Sequence, residues 1–490
     1  MLLEQKSVCA SVAGSGWGVC TMLASAGFMS LGMIAQGCDG PGDKESGAAG
    51  ERPPNFVFIL TDDLGYGDIG VYGAEDISTP NINGMAENGI LFTDFYATSS
   101  VCSPSRASLL TGRFPQRMGL NSVFFPESLT GMPTNELTKA QLLAEAGYTS
   151  AIVGKWHLGH MHPYLPLQRG FDEYFGMPYS NDMASAVYIR GNEVVEHFVD
   201  QRHTTRKFTE EALDFIERNA DRPFYLLLSH IMPHVPLYAS DDFLGTSERG
   251  LYGDVVQELD WSVGQVLKKL ETEDLLQNTL VVFTSDNGPW LVMRDHGGSA
   301  GHLREGKFYT FEGGMRVPTV AMWPGTIPSG SVYEGMATMM DWFPTFAHLA
   351  GTVIPDSVVI DGENILPVLL DEGSRKGSDF LFMEHEELQG YRYENWKIKL
   401  EYDGFPGAWY RHRVDPHPLL LIDLDADPSE RKNLAEYYPD RVDRMLEKMD
   451  SAYRAIGPFP PSITTIVYPD ESHLEYLREE YGEDFYLMND

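Results

Sequence analysis

The stretch Asn55-Phe-Val-Phe-Ile-Leu-Thr61, followed at once by Asp62-Asp63, decides the fold class. Its apolar run is continuous rather than alternating, and it is bounded by Pro54 and Asp62. A strand that is buried on both faces has this pattern, because helices cover both sides of a parallel sheet. The sequence therefore predicts a central strand of an α/β domain at this point.

Apolar runs of the same kind recur along the chain, with segments of helical periodicity between them. The runs are Thr149 to Val153, Pro223 to Ser229 and Thr279 to Ser285, and the helical segments are Glu136 to Ala146, Thr205 to Asn219 and Tyr252 to Glu271. Strands that alternate with helices predict a mostly parallel sheet flanked by helices.

Acidic and basic residues follow these strands directly. Asp62-Asp63 follow the first strand, His157 follows the second, His230 and His234 follow the third, and Asp286-Asn287 follow the fourth. Ligands of such sheets bind beyond the carboxyl ends of the strands. We therefore expect these side chains to meet at one edge of the sheet.

The pairs Asp62-Asp63 and Asp286-Asn287 together offer three carboxylates and one amide oxygen. Hard oxygen ligands suit Ca²⁺ or Mg²⁺, and three carboxylates at one edge would repel each other without a cation. Either pair alone is more often a helix N-cap or a turn. Both pairs at the ligand end of one sheet favour a metal site.

The segment Val101-Cys102-Ser-Pro104-Ser-Arg106 predicts a second group of functional residues. Pro104 suits the first turn of a helix, so Cys102 would lie at a helix N-terminus, where free N–H groups favour an anion. Arg106 is one turn further on. The alternative is a buried cysteine with a purely structural role. The segment does not match a thiol phosphatase, which would need five residues between Cys and Arg rather than three.

Composition excludes several classes of protein. The 490 residues are 43% hydrophobic and 22% charged, which is typical of a globular chain. The net charge of −35 opposes phosphate binding, so nucleic acid is not an expected partner. An acidic surface that aids solubility explains the charge better than attraction of a cationic substrate. Only Cys102 lies beyond the first forty residues, so the body of the protein has no disulfide framework.

By pattern the chain divides into three parts. Residues 1–52 form a leader and linker, in which Met22 to Ala35 resembles a signal peptide and Ala35-Gln-Gly-Cys38 resembles a lipoprotein cleavage box. The alternative is an N-terminal tail without a fold. Residues 53–374 form the catalytic domain. We expect export, to the periplasm, to a membrane through a lipid anchor at Cys38, or to the outside of the cell.

Residues 375–490 are predicted to form a smaller C-terminal domain that ends in an acidic tail. Short strand-like segments at Phe380 to Met383, Trp396 to Leu400 and Leu419 to Ile422 precede a helical segment at Asp440 to Ile456. This order predicts an antiparallel sheet and a helix.

Cys102-Ser-Pro-Ser-Arg106, followed by Leu-Leu-Thr-Gly-Arg113, resembles the signature of the type I sulfatases, above all the arylsulfatase and N-acetylgalactosamine-sulfatase branches. Further blocks occur in the family's order: Gly154-Lys155-Trp156-His157, Pro178-Tyr179-Ser180, His234-Val-Pro236, Thr284-Ser-Asp286-Asn287-Gly288, Gly306-Lys307 and Glu312-Gly-Gly-Met-Arg316-Val-Pro318. The resemblance covers roughly residues 53–460. It implies an alkaline-phosphatase-like fold and a sulfuric ester hydrolase that acts on aryl or carbohydrate sulfates.

The resemblance also implies the cofactors and the roles of the residues. A maturation enzyme would oxidise Cys102 to formylglycine, and Ca²⁺, less readily Mg²⁺, would be bound by Asp62, Asp63, residue 102, Asp286 and Asn287. A hydrated aldehyde offers one hydroxyl as the nucleophile and a second hydroxyl for release of sulfate. The implied substrate-binding residues are Lys155, Ser180, His234 and Lys307. The implied catalytic roles are acceptance of the nucleophile's proton for Asp286, protonation of the leaving alcohol for His234 or Lys307, base action for His157 and positioning of the hydrate for Arg106.

Two alternatives remain open at this point. One is a phosphoester or phosphonate monoester hydrolase of the alkaline phosphatase superfamily, although the residues offer ligands for one metal rather than two. The other is a catalytically inactive protein that binds sulfated glycans. The complete set of motif residues favours a sulfatase over both.

Overall fold

The strand predicted at Asn55–Thr61 lies in the middle of a ten-stranded sheet in the computed structural model, which describes residues 52–183, 186–408 and 411–464. The strands of this sheet are β1 (Asn55–Thr61), β2 (Ile90–Tyr96), β3 (Thr149–Lys155), β4 (Glu173–Met177), β5 (Val187–Arg190), β6 (Glu193–His197), β7 (Phe224–Ser229), β8 (Thr279–Ser285), β9 (Thr319–Met322) and β10 (Ser331–Thr338). Their order across the sheet is β10-β2-β9-β8-β1-β7-β3-β4-β5-β6.

The central strands are parallel, as predicted. The strand β1 pairs in parallel with β7 and β8, and β3 pairs in parallel with β7 and β4. The strand β9 is antiparallel to its neighbours β2 and β8, and β5 is antiparallel to β4 and β6 toward one edge of the sheet. The mostly parallel sheet of the predicted fold class is thus confirmed.

Helices cover both faces of this sheet. The helices are α1 (Pro80–Glu87), α2 (Cys102–Thr111), α3 (Lys139–Glu145), α4 (Thr204–Arg218), α5 (Leu251–Thr272), α6 (Glu312–Met315), α7 (Trp342–Leu349), α8 (Leu366–Leu369) and α9 (Pro439–Ile456). Alternate residues of β1 enter two separate cores, with Phe56 and Phe58 in one and Val57 and Ile59 in the other. Residues of α2, α3 and α7 fill the first core, and residues of α1, α4 and α5 fill the second.

Two predicted boundaries differ from the structure for local reasons. The helix predicted from Glu136 begins at Lys139, because the Thr138 side chain accepts a hydrogen bond from Gln141 N and so caps the helix. The strand predicted to end at Val153 continues to Lys155, because β4 pairs with it up to that residue.

A second sheet follows, as predicted. It is antiparallel, with the order β11 (Asp379–Glu384), β12 (Glu387–Tyr393), β13 (Trp396–Lys399) and β14 (Leu420–Asp423). Met445 and Met449 of α9 share its core. The domain boundary placed between residues 374 and 375 stays a prediction.

Some expectations concern residues outside the described part of the chain. These are residues 1–51 of the predicted leader, with the lipoprotein-like box at Cys38, and the acidic tail from Tyr468 to Asp490. Among the residues that are described, no helix combines the length and the apolar character that spanning a bilayer requires.

Candidate active site

The carboxyl ends of β1 and β8 bring the two acidic pairs together. The two strands are in parallel register, with Thr61 opposite Ser285, so Asp62 and Asp286 follow at the same level. The Asp286 N–H donates to Thr61 O at 3.1 Å, and the Asp63 N–H donates to Asp286 Oδ1 at 3.2 Å. Both aspartates are buried, and neither caps a helix.

Asp62 lies between a lysine and the cysteine. Its Oδ2 accepts from Lys155 Nζ at 2.5 Å, and its Oδ1 lies 3.4 Å from Cys102 Sγ. Burial would raise the pKa of the Asp62 carboxyl, but Lys155, His234 and Arg106 outweigh burial and lower the pKa below its usual range. Asp62 is therefore a carboxylate at neutral pH.

Asp63 joins three further members of the group. Its Oδ1 accepts from Asn287 Nδ2 at 2.7 Å, and its Oδ2 accepts from Lys307 Nζ at 2.8 Å and lies 3.6 Å from His234 Nε2. Although burial disfavours a charged lysine, Asp63 raises the pKa of Lys307 above its usual value. Lys307 therefore stays positively charged in this buried position.

The donor set fits a divalent cation. Asp62, Asp63, Cys102 and His234 each offer a ligand atom, and these atoms all lie within 4.8 Å of one another. Asn287 uses its Nδ2 toward Asp63, which leaves its buried Oδ1 without a hydrogen-bond partner. An orphaned amide oxygen beside two carboxylates is the arrangement that Ca²⁺ or Mg²⁺ would satisfy.

Cys102 is the first residue of α2, as predicted, and it is buried. Lys307 Nζ lies 3.7 Å from its Sγ, opposite Asp62. Burial, followed by the charge of Asp62, raises the pKa of the Cys102 thiol well above its usual value. The unmodified side chain is therefore a poor source of thiolate.

Arg106 holds α2 against the sheet. Its Nε and NH2 atoms lie 2.9 and 2.8 Å from Asp286 Oδ2, and its NH1 donates to Ser229 Oγ at 2.7 Å and to Lys155 O at 3.2 Å. Burial, with Asp62 second, raises the pKa of Asp286 to about 6 despite Arg106. The guanidinium thereby ties the ends of three strands to the helix that carries Cys102.

Ser180 and His157 extend the group around Lys155, the last residue of β3. Lys155 Nζ also donates to Ser180 Oγ at 2.5 Å. His157 follows with a left-handed backbone (φ 61°), and its Nε2 donates to Phe124 O at 2.9 Å, which leaves Nδ1 without a hydrogen-bond partner. Burial and the nearby Lys155 lower the pKa of His157 well below its usual value, so its Nδ1 presents a lone pair.

His234 faces the same centre from the loop after β7. Its Nδ1 donates to Val235 O at 2.6 Å, and its ring lies 5.3 Å from that of Trp290. Burial, followed by Lys307, lowers the pKa of His234. Trp290 also lies under Lys307, whose Nζ is 4.5 Å from the ring centroid.

The structure gathers every residue that was given a catalytic, sulfate-binding or metal-binding role into this one cluster, and all of them except His157 are joined to another member by a hydrogen bond or an ion pair. His230, by contrast, bonds to Ser262 of α5, away from the cluster. Sequence reasoning missed Ser229, Phe124 and Trp290. Ser229 could have been found, because it ends β7 at the level of the other strand ends.

Comparisons with known proteins identify the family of the chain. The family model described as Sulfatase matches residues 54–352, and the model described as N-sulphoglucosamine sulphohydrolase, C-terminal, matches residues 302–454. The N-acetylgalactosamine-6-sulfatase of Canis lupus familiaris is 42% identical over 500 residues, covering 92% of each chain. Arylsulfatase A of Homo sapiens is 37% identical, covering 79% of this chain and 85% of the relative.

Solved structures support the fold. One of them, described as Ps i-CgsB in complex with k-i-k-neocarrahexaose, superposes with a TM-score of 0.75 at 26% sequence identity. The match covers 90% of this chain and 100% of that chain. The overall fold is therefore shared with this carbohydrate-bound structure.

Proposed function

Because the chain belongs to the sulfatase family and is thus a sulfuric ester hydrolase, we propose that it cleaves carbohydrate or aryl sulfate esters with a formylglycine made from Cys102. The observation that carries the proposal is the position of Cys102 at the start of α2, with Asp62 at 3.4 Å and Lys307 at 3.7 Å. A thiol so buried and so placed is poorly suited to act as a thiolate. An oxygen nucleophile made from the same residue suits the surrounding oxygen ligands.

The cations of the site bind and orient the sulfate. Lys307 contacts Cys102, and Lys155 is bonded to Asp62, which contacts Cys102 as well. Each lysine is held by a carboxylate, Asp62 or Asp63. Ser180 Oγ, bonded to Lys155, adds a neutral donor. Charges that are fixed before the substrate binds stabilise the developing charge on sulfuryl oxygens without reorganisation, which is usually the largest catalytic contribution.

We assign the metal site to Asp62, Asp63, Asp286, Asn287 and residue 102, with Ca²⁺ preferred to Mg²⁺. The bound ion would lower the pKa of an oxygen ligand and offset the charge of the sulfate. Two contacts support this assignment, because Arg106 bonds to Asp286 and Asn287 keeps a buried Oδ1 without a hydrogen-bond partner.

Proton transfer falls to three residues. Asp286, whose pKa burial raises to about 6, is the proposed acceptor of the nucleophile's proton. His234 or Lys307 is the proton donor for the leaving alcohol, and Lys307 keeps a proton to give because Asp63 raises its pKa. His157 presents the lone pair of Nδ1 and serves as the base that releases sulfate and restores the aldehyde.

The remaining parts of the proposal concern partners and location. A formylglycine-generating enzyme would recognise Cys102-Ser-Pro-Ser-Arg106 before folding buries it, because all residues of α2 are buried in the folded chain. We propose that the protein is exported, and that N-acetylgalactosamine 6-sulfate is the first carbohydrate to test, on the name of its relative.

Matched aryl esters test the proposed reaction. We expect 4-nitrophenyl sulfate to be hydrolysed with a higher kcat/KM than 4-nitrophenyl phosphate, and Lys155→Ala to lower that value by at least ~10²-fold. Exposed Lys268 provides the matched control, Lys268→Ala. Faster turnover of the phosphate would favour the phosphoester hydrolase instead, and full activity of Lys155→Ala would refute the role given to Lys155.

A further inference from the structure

A cavity of about 310 Å³ lies between the loop at Asn121 and the turn that joins β11 to β12. One wall contains Asn121, which lies three residues before Phe124. The Phe124 N–H donates to Ser103 Oγ at 3.1 Å, and the Phe124 carbonyl accepts from His157. Another wall contains Gln389, whose Oε1 accepts from Thr310 Oγ1 at 3.0 Å. Thr310 lies three residues after Lys307. Both walls therefore continue chain segments that border Cys102.

The lining of this cavity, here called the acidic pocket, is rich in hydrogen-bond acceptors. The turn between β11 and β12 supplies Glu384, Glu386 and Glu387, and the described residues that line the pocket include no lysine or arginine. Glu384 is paired with Arg411. Glu386 and Glu387 are exposed and give the pocket its negative charge.

Asn121 provides an independent sign of a ligand. The residue is only 5% exposed, and its Nδ2 donates to Glu386 Oε1 at 3.2 Å. That bond fixes the amide, because a flip would turn its carbonyl oxygen toward a carboxylate. The Oδ1 atom is buried and has no hydrogen-bond partner. A buried acceptor of this kind needs a donor to offset its loss of hydration.

We propose that the acidic pocket binds the sugar ring that carries the sulfate, through the hydroxyl or N–H donors of the ring. The inference rests on the proposed sulfatase function and narrows its substrate class. Glu386, Glu387 and Asn121 accept hydrogen bonds from the ring, whereas a second sulfate or a carboxylate on it would face these carboxylates. The enzyme therefore selects sugars whose only anion near the cleaved ester is that ester's own sulfate.

Three substrates and three variants test this selection on the full-length, matured enzyme. The substrates are 4-nitrophenyl sulfate, N-acetylgalactosamine 6-sulfate and N-acetylgalactosamine 4,6-disulfate. The variants are Asn121→Ala, the double variant Glu386→Gln/Glu387→Gln and, as the control, Glu447→Gln at an exposed position of α9. Thermal unfolding of each variant reports whether it is folded.

We expect the wild type to prefer the monosulfate. Asn121→Ala should lower kcat/KM for the monosulfate relative to the aryl sulfate about tenfold, the effect of one lost hydrogen bond. The double variant, whose exposed changes preserve side-chain size, should raise kcat/KM for the disulfate relative to the monosulfate roughly fivefold. Glu447→Gln should change neither ratio.

The outcomes distinguish failure of the proposed sulfatase function from failure of the proposed sugar site. If neither the aryl sulfate nor a sugar sulfate is hydrolysed, the proposed function fails. If the aryl sulfate is hydrolysed but the wild type does not prefer the monosulfate, or the pocket variants change neither ratio, the function stands and the acidic pocket is not a sugar site.

Discussion

At the scale of single residues, Arg106 shows why the identity of a cation matters as much as its charge. The guanidinium bonds to Asp286, Ser229 and Lys155 O at once. A lysine keeps the charge but cannot make this planar fork of bonds. The position of Cys102 relative to the strand ends therefore depends on the arginine.

We predict that Arg106→Lys lowers kcat for 4-nitrophenyl sulfate by about 10²-fold, the scale expected when reacting groups are displaced by about 1 Å. Steady-state kinetics checks this expectation, with Arg454→Lys on the exposed face of α9 as the control. The fraction of Cys102 converted to the aldehyde must be measured in both variants. A kcat within threefold of wild type at equal conversion would contradict the positioning role.

Lys139 is a residue-scale feature with consequences for stability. It is fully buried, and its Nζ has no hydrogen-bond partner and lies 4.6 Å from the ring centroid of Phe346. Burial lowers the pKa of Lys139 well below its usual value. The ammonium form therefore costs stability in the folded state.

We predict that Lys139→Met raises the free energy of unfolding at pH 7 by ~1–3 kcal/mol. In the wild type the unfolded state binds the proton more tightly, so stability rises with pH from the lowered folded-state pKa up to ~10.4. Lys139→Met should remove that part of the rise, and Lys268→Met, at an exposed position of α5, should not. Denaturant unfolding at several pH values measures both, and a less stable Lys139→Met protein would contradict the account.

At the scale of elements, close packing of strands fixes where the catalytic side chains lie at the carboxyl edge of the sheet. Gly154 of β3 has a positive φ of 119°, and a Cβ on it would lie 1.8 Å from Ser229 O of β7. Only glycine permits this approach. Lys155 and His157 follow directly, so the packing of β3 on β7 places both of them.

Gly154→Ala should therefore destabilise the protein by more than ~2 kcal/mol and lower kcat as well. Gly147→Ala is the matched control, because Gly147 also has a positive φ, of 82°, but open space around its Cβ position. It should cost only ~1 kcal/mol for the backbone conformation. Equal losses of stability in the two variants would show that close packing at Gly154 does not contribute to the stability of the fold.

The elements also show what the sequence can and cannot predict. The strands β1 and β8 were predicted with their observed ends, because long apolar runs are bounded by polar residues there. The other strands of the large sheet, β2, β4, β5, β6, β9 and β10, were not predicted. Of these, β6 is largely exposed and β10 is buried only in its last part, so neither has a continuous apolar run. In the site, the residue types at strand ends were predictable. The turn of the Asn287 amide toward Asp63 and the bond of Arg106 to Ser229 depend on tertiary packing.

At the scale of the whole molecule, residues from 62 to 307 converge on one centre. Three buried aspartates meet there, so the folded state should gain stability from a cation that the unfolded chain does not bind. We predict that a chelator lowers both Tm and activity and that added Ca²⁺ restores both. Asn287→Ala should reduce the chelator's effect on Tm. If the chelator changes neither quantity in the wild type, the metal assignment is wrong.

The central claim is that sulfate hydrolysis depends on an aldehyde at position 102. The most direct measurement is mass spectrometry of the Cys102 peptide from preparations made with different amounts of maturation enzyme, each assayed with 4-nitrophenyl sulfate. We predict that turnover rises in proportion to the aldehyde fraction and vanishes when that fraction is zero. Full turnover in a preparation whose Cys102 is entirely a thiol would contradict the account.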